Sequence, residues 1–128
     1  MEILENVAVK MTVPNDVVPI IQERIPKFKV IEKREKLSDV VVRWGLDEMT
    51  TLTELLPFKK PLPSPITRDY TWSGRFLPFD HQKVTSEFFS INRRAFCFNE
   101  AGTGKTSSVL WAADYLMNQK KIKRVLVI

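Results

Sequence analysis

Asn99-Glu100-Ala101-Gly102-Thr103-Gly104-Lys105-Thr106 lies between an apolar run, Ala95-Phe96-Cys97-Phe98, and a helical pattern that begins at Lys105. Strand, Gly-rich turn and helix in that order aim consecutive backbone N–H groups and the positive end of a helix at one point. That reads as a phosphate-binding loop, and as the start of an α/β fold with a parallel sheet. Gly102 and Gly104 stand where a Cβ would block an anion or forbid the backbone angles, and they are two of only four glycines in the chain. Lys105 supplies a flexible point charge to the β- and γ-phosphates of a nucleotide and is the candidate catalytic residue, since it would also stabilise charge spreading over the γ-phosphoryl oxygens. Thr106 offers a hydroxyl to Mg²⁺, a cation that prefers oxygen ligands. The phosphate-binding set is therefore Glu100, Ala101, Gly102, Thr103, Gly104, Lys105 and Thr106, with Ser107 adding a hydroxyl in the first helical turn. The full template carries glycine where this chain has Asn99.

Working outward, Arg93 and Arg94 precede the apolar run, and a helix is expected from Asp80, as N-cap, to about Asn92, with Val84, Phe88 and Ile91 on its apolar face. Beyond the loop a helix from Lys105 to about Asn118 is expected to bury Val109, Ala112, Ala113 and Leu116. Val125-Leu126-Val127-Ile128 has the continuous apolar, β-branched character of a central parallel strand. Pro57, Pro61, Pro63 and Pro65 break the chain into a first part, residues 1–56, a linker, residues 57–65, and a loop-bearing part, residues 66–128. In the first part Val7 to Val13 alternates as a half-buried strand. Asp16 to Arg24 reads as a short helix broken by Pro26, Val30 to Glu35 and Asp39 to Trp44 as strands, and Asp47 to Leu56 as a helix. The sum is a small α+β unit that carries no recognisable chemistry.

Composition narrows the function classes. The chain has 128 residues and a net charge of +5. Residues 1–65 hold ten basic and ten acidic side chains and residues 66–128 ten and five, so the excess belongs to the half with the loop. A basic surface there suits nucleotide phosphates or a nucleic-acid backbone, although Lys120, Lys121, Lys123 and Arg124 also suit a helix C-terminus. Cys97 stands alone, which points away from disulfides, and His81 has no His or Cys companion for a metal cluster. No apolar run reaches membrane-spanning length and no signal-peptide pattern opens the chain, so a cytoplasmic setting is expected.

The form Ala-Gly-Thr-Gly-Lys-Thr without the first glycine, together with Gln82 in Leu77-Pro78-Phe79-Asp80-His81-Gln82, resembles the superfamily 2 helicases and translocases, especially the Swi/Snf-type branch. The likeness covers about residues 66–128. It is nearest to bacteriophage helicase-like proteins, which share a Ser-Pro-Ile segment (Ser64-Pro65-Ile66) and a Trp-x-Gly element (Trp72-Ser73-Gly74). The resemblance implies ATP and Mg²⁺ as cofactors, DNA as the partner of the parent protein, a RecA-like parallel sheet, and Gln82 as the adenine reader. It implies host-cell cytoplasm if the protein is phage-encoded. A Gln amide can donate to and accept from the N6/N7 edge of adenine at once, and Arg75, Phe76 and Phe79 could flank the base. Asn99 and His81 depart from the acidic residue and the Tyr usual in that branch. No Asp-Glu strand follows Ile128 to hold Mg²⁺ and activate water, so the chain is expected to be the ATP-binding, N-terminal portion of a DNA-dependent ATPase and to be inactive alone. Two alternatives share the loop: a P-loop small-molecule or nucleoside kinase, and a non-enzymatic binding module with a vestigial loop.

Overall fold

The computed structural model describes residues 1–128 and is a mixed α/β structure. The chain divides into two compact units, Met1–Lys59 and Lys60–Ile128.

The first unit is built on four antiparallel strands, β1 (Glu2–Leu4), β2 (Ala8–Pro14), β3 (Lys29–Lys33) and β4 (Leu37–Arg43), in the spatial order β1-β2-β4-β3. Alternation in β2 puts Val9, Met11 and Val13 on one face, and the register sets Val9 opposite Val42 and Met11 opposite Val40. These side chains are buried, as are Ile21 of α1 (Val18–Arg24) and Leu46, Met49 and Leu52 of α2 (Leu46–Leu55), and together they make the core of the unit. Helix α1 stops at Ile25, whose backbone is extended before Pro26. Strand β1 is too short to leave a periodic signal. It joins β2 through Glu5 and Asn6, with φ of 48° and 57°, the left-handed pair that tight hairpins use because its twist matches the strands. On the opposite face of the sheet Thr12 donates its hydroxyl to Asp39 at 2.7 Å. That bond, helped by the Arg34 guanidinium and opposed by burial, holds the Asp39 carboxyl below its usual range.

The second unit contains α3 (Ile66–Asp69), α4 (Asp80–Ile91) and α5 (Lys105–Asn118) and no strand. This corrects the expected parallel sheet. Residues 95–98 and 125–128 have the apolar content of strands but no hydrogen-bonded neighbour; Phe96 and Phe98 are 83% and 91% exposed, and Leu126, Val127 and Ile128 also face solvent. A parallel strand satisfies its backbone only against neighbours with both sheet faces covered, and a pair of such segments would leave both outer edges open.

The contact face of α4 follows the expected apolar stripe only at Ile91, which is buried as expected. Val84 is 62% exposed, whereas Thr85, Ser86, Ser90 and Ile91 are buried. Small hydroxyl side chains let two helices approach closely and bond to each other's carbonyls, so Ser86 donates to the Ser108 carbonyl of α5 at 2.8 Å. The first α5 bond, Ser108 N–H to Gly104 O, is doubled by the Ser108 hydroxyl at 3.0 Å on the same carbonyl. Ser108, Ala112 and Tyr115 form the buried stripe of α5, and Val109 lies outside it.

Burial raises the pKa of Glu87 on α4, an effect the Ser64 N–H only partly offsets. Below the ordinary value of 4.5 the carboxyl is protonated whether the chain is folded or not and costs nothing. As pH rises through the raised folded value, ionising it subtracts stability. Glu87→Gln is therefore expected to unfold at a higher temperature than the unsubstituted chain near neutral pH. The difference should close in acid below the ordinary value, as thermal denaturation at the two pH values would check.

Candidate functional site

The loop that links residues 95–98 to α5 has the backbone its two glycines permit. Gly102 and Gly104 adopt φ of 77° and 76°, the left-handed region that costs an L-residue with a side chain about 1–2 kcal/mol. Gly104 is the N-cap of α5, so Lys105, Thr106 and Ser107 form its first turn and their N–H groups are among those that no helical carbonyl takes up. A Cβ on Gly102 would point into open space, whereas one on Gly104 would collide with the Gln82 side chain.

The loop is fastened to α4 at three levels. At its start the Asn99 amide donates to the Thr85 hydroxyl at 2.9 Å, and that hydroxyl donates onward to the His81 carbonyl at 2.9 Å. A glycine at residue 99 could make no such bond, so the departure from the template has a structural use. In the middle of the loop, the Thr103 carbonyl accepts from Gln82 Nε2 at 3.3 Å and from His81 Nε2 at 3.0 Å. A carbonyl only accepts, so in this arrangement His81 carries its proton on Nε2. The third level is the Ser86 hydroxyl on the Ser108 carbonyl. Partners advance together along the chain, from 82 with 103 to 86 with 108, so α4 and α5 run parallel and begin at the same end.

Gln82 has a second task. Its Oε1 accepts from the N–H of Phe79, the N-cap of α4, at 2.9 Å; Asp80, the expected cap, is the first helical residue instead. An amide side chain has two donors and two acceptor lone pairs, and these bonds use one of each, leaving one N–H and one lone pair for a further partner. Lys105 reaches back over the loop and donates to the Asn99 carbonyl at 2.8 Å, in an exposed bond. The Thr103 hydroxyl donates to the Glu100 carbonyl at 2.8 Å and closes the turn. Glu100, Ala101, Gly102, Thr106 and Ser107 are exposed.

Next to the loop is a groove of about 1040 Å³ whose lining includes Arg75, Phe76, Phe79, Gln82, Ser107 and Trp111. The Arg75 guanidinium lies over the Phe76 ring at 5.4 Å, and the His81 ring stacks on Phe79 at 5.8 Å. Gln82 and Ser107 thus belong both to the surroundings of the loop and to the wall of the groove.

Several expected residues gather here and others do not. Gln82, Thr103, Gly104 and Ser107 are brought to one corner, with Arg75, Phe76 and Phe79 along the adjoining wall. Arg93, Arg94, Lys120, Lys121, Lys123 and Arg124 are not in the lining of that groove. The roles of Asn99, His81, Thr85 and Ser86 as anchors of the loop were not read from the sequence. The only local signal was negative, in that Asn99 and His81 break their motifs.

No group of three or more His, Cys, Asp or Glu side chains is arranged to hold a metal ion, and no helix is long and apolar enough to cross a membrane. No protein-family model, curated protein or solved structure matches the chain.

Proposed function

We propose that the second unit binds a nucleoside triphosphate, with its phosphates on residues 100–107 and its base in the neighbouring groove. The observation that carries this reading is the pair of left-handed glycines at 102 and 104, leading directly into the first turn of α5 beside a groove that Gln82 and Ser107 share with the loop. Lys105 would exchange the Asn99 carbonyl for phosphate oxygens, a charged partner in place of a neutral one. Gln82 would turn its remaining N–H and lone pair to the adenine edge while still capping α4 and holding Thr103. Thr106, exposed in the first turn, would give its hydroxyl to Mg²⁺, whose contribution when bound is to neutralise phosphate charge. Mg²⁺ keeps several waters and takes phosphate oxygens, so Thr106 would supply one ligand among these.

The wider role we propose is that of the ATP-binding portion of a DNA-dependent ATPase of the helicase or translocase type. It rests on the resemblance carried by Gln82 and by residues 99–106. ATP hydrolysis by the gene product, measured with and without duplex and single-stranded DNA, tests this role; indifference to both would remove it.

For nucleotide binding itself the discriminating variant is Gln82→Ala. A bidentate amide–base pair contributes about 1–3 kcal/mol of discrimination. The preference for ATP over GTP is therefore expected to shrink about 5- to 150-fold in the variant. The ratio is the quantity to measure by calorimetry, because loss of the grip on Thr103 alone would weaken both nucleotides equally. An unchanged ratio would exclude Gln82 as the reader of the base.

A further inference from the structure

Residues 71–79 form neither helix nor strand, yet they carry Arg75, Phe76 and Phe79 into the wall of the groove. An irregular segment loses backbone entropy residue by residue when it is held in one place, so something must hold it. The anchors are on α5, in its second and third turns, beyond the residues that adjoin the loop. Trp111 Nε1 donates to the Ser73 carbonyl at 2.7 Å, and the Tyr70 hydroxyl donates to Asp114 at 2.5 Å. The same hydroxyl lies 3.1 Å from the Ser73 hydroxyl. Aromatic packing surrounds these bonds: Trp72 meets Trp111 edge to face at 5.6 Å, Tyr70 meets Trp72 likewise at 5.3 Å, and Tyr70 stacks on Tyr115 at 6.0 Å. Tyr70 is buried, and burial together with the Asp114 carboxylate keeps its phenol protonated as a donor. At the far end of the segment Pro78 is buried and the Phe79 N–H is held by Gln82.

We propose that Tyr70 and Trp111 are positioning residues for the base: by tying the strap of residues 70–77 to α5 they set where Arg75 and Phe76 stand relative to Gln82. The inference rests on the nucleotide reading of the groove. On this reading α5 carries both halves of the site, phosphates at its first turn and, through the strap, the base wall from its second and third turns. A ligand with phosphates but no base should be blind to the strap.

The test is calorimetric titration of the full chain with MgATP and with inorganic tripolyphosphate, comparing the unsubstituted protein with Tyr70→Phe, which keeps the ring and removes only the donor, and with Trp111→Phe, which keeps an aromatic side chain but loses the indole N–H and part of the ring. Each variant is expected to bind ATP about threefold to tenfold more weakly, the range for one lost hydrogen bond, and tripolyphosphate within about twofold of the unsubstituted chain. Equal losses for both ligands, or no loss for either, would overturn the positioning role. In the unsubstituted chain, whatever the fate of the variants, ATP should change tryptophan emission because Trp111 lines the groove, and tripolyphosphate should not. The same change with both ligands, or none with ATP, would count against the strap. If the unsubstituted chain bound neither ligand, the phosphate-loop reading would fail first and the strap with it. Binding of tripolyphosphate without any base dependence would remove the strap and leave the loop reading standing.

Discussion

Lys105→Ala is expected to weaken binding of MgATP by about 10- to 100-fold while leaving the unfolding temperature of the chain almost unchanged. The two halves of that result have separate causes. The ammonium group donates to the Asn99 carbonyl in an exposed bond, and exposed bonds of this kind contribute little to folding because water replaces them readily. Toward a triphosphate, by contrast, the same group meets concentrated negative charge beside the unpaired N–H groups of a helix N-terminus, and charge-assisted bonds are about twice as strong as neutral ones. Lys105→Arg should rescue only part of the loss. A planar fork on a stiffer head cannot follow the short path across the loop that brings the Lys105 amine to Asn99. Isothermal titration with MgATP, paired with thermal denaturation of each variant, checks both halves. A variant that binds ATP as the unsubstituted chain does would leave Lys105 without the role assigned to it.

Gly104→Ala should damage both folding and binding, and comparison with Gly102→Ala separates the reasons. Both positions sit near φ of 77°, so alanine at either one adds about 1–2 kcal/mol of backbone strain. For a unit of this size that corresponds to a fall in unfolding temperature of about 7–14 °C. Gly104 carries a further cost. The added methyl would strike the Gln82 amide, which must then leave the Thr103 carbonyl and the Phe79 N–H, loosening the loop and the start of α4 together. At Gly102 the methyl meets open space within the protein and would intrude only on a bound anion. Gly102→Ala is therefore expected to unfold a few degrees higher than Gly104→Ala, with both losing ATP affinity. Equal unfolding temperatures would mean that the Gln82 contacts contribute nothing to holding the loop.

What could be read from residue order alone follows from which signals are local. The alternation of Val9, Met11 and Val13 marks β2, and the stripe of Met49 and Leu52 marks α2, because a single face of each element meets the core. The onset of α5 at Lys105 and the left-handed turns at Gly102 and Gly104 follow from glycine chemistry within eight residues. Apolar content misled at residues 95–98 and 125–128, since a parallel strand is defined by its neighbours, not by its own composition. On α4 it misled in part: Ile91 is buried as expected, but Thr85, Ser86 and Ser90, polar by type, are buried beside it and Val84 faces water. The anchoring of Asn99 to Thr85, of His81 to Thr103 and of Trp111 to Ser73 joins residues far apart in the chain, and no periodicity records such pairs.

On the proposed reading a triphosphate sits on the backbone at the start of α5. Titration of the ¹⁵N-labelled chain with MgATP, followed through its amide resonances, tests it most directly. Saturable shifts are expected, largest at Ala101 to Ser107, with smaller ones at Gln82 and Phe76 and none in the sheet formed by β1 to β4. Absence of saturable shifts in the loop up to about millimolar ATP, the upper range of ordinary enzyme–substrate affinities, would contradict it.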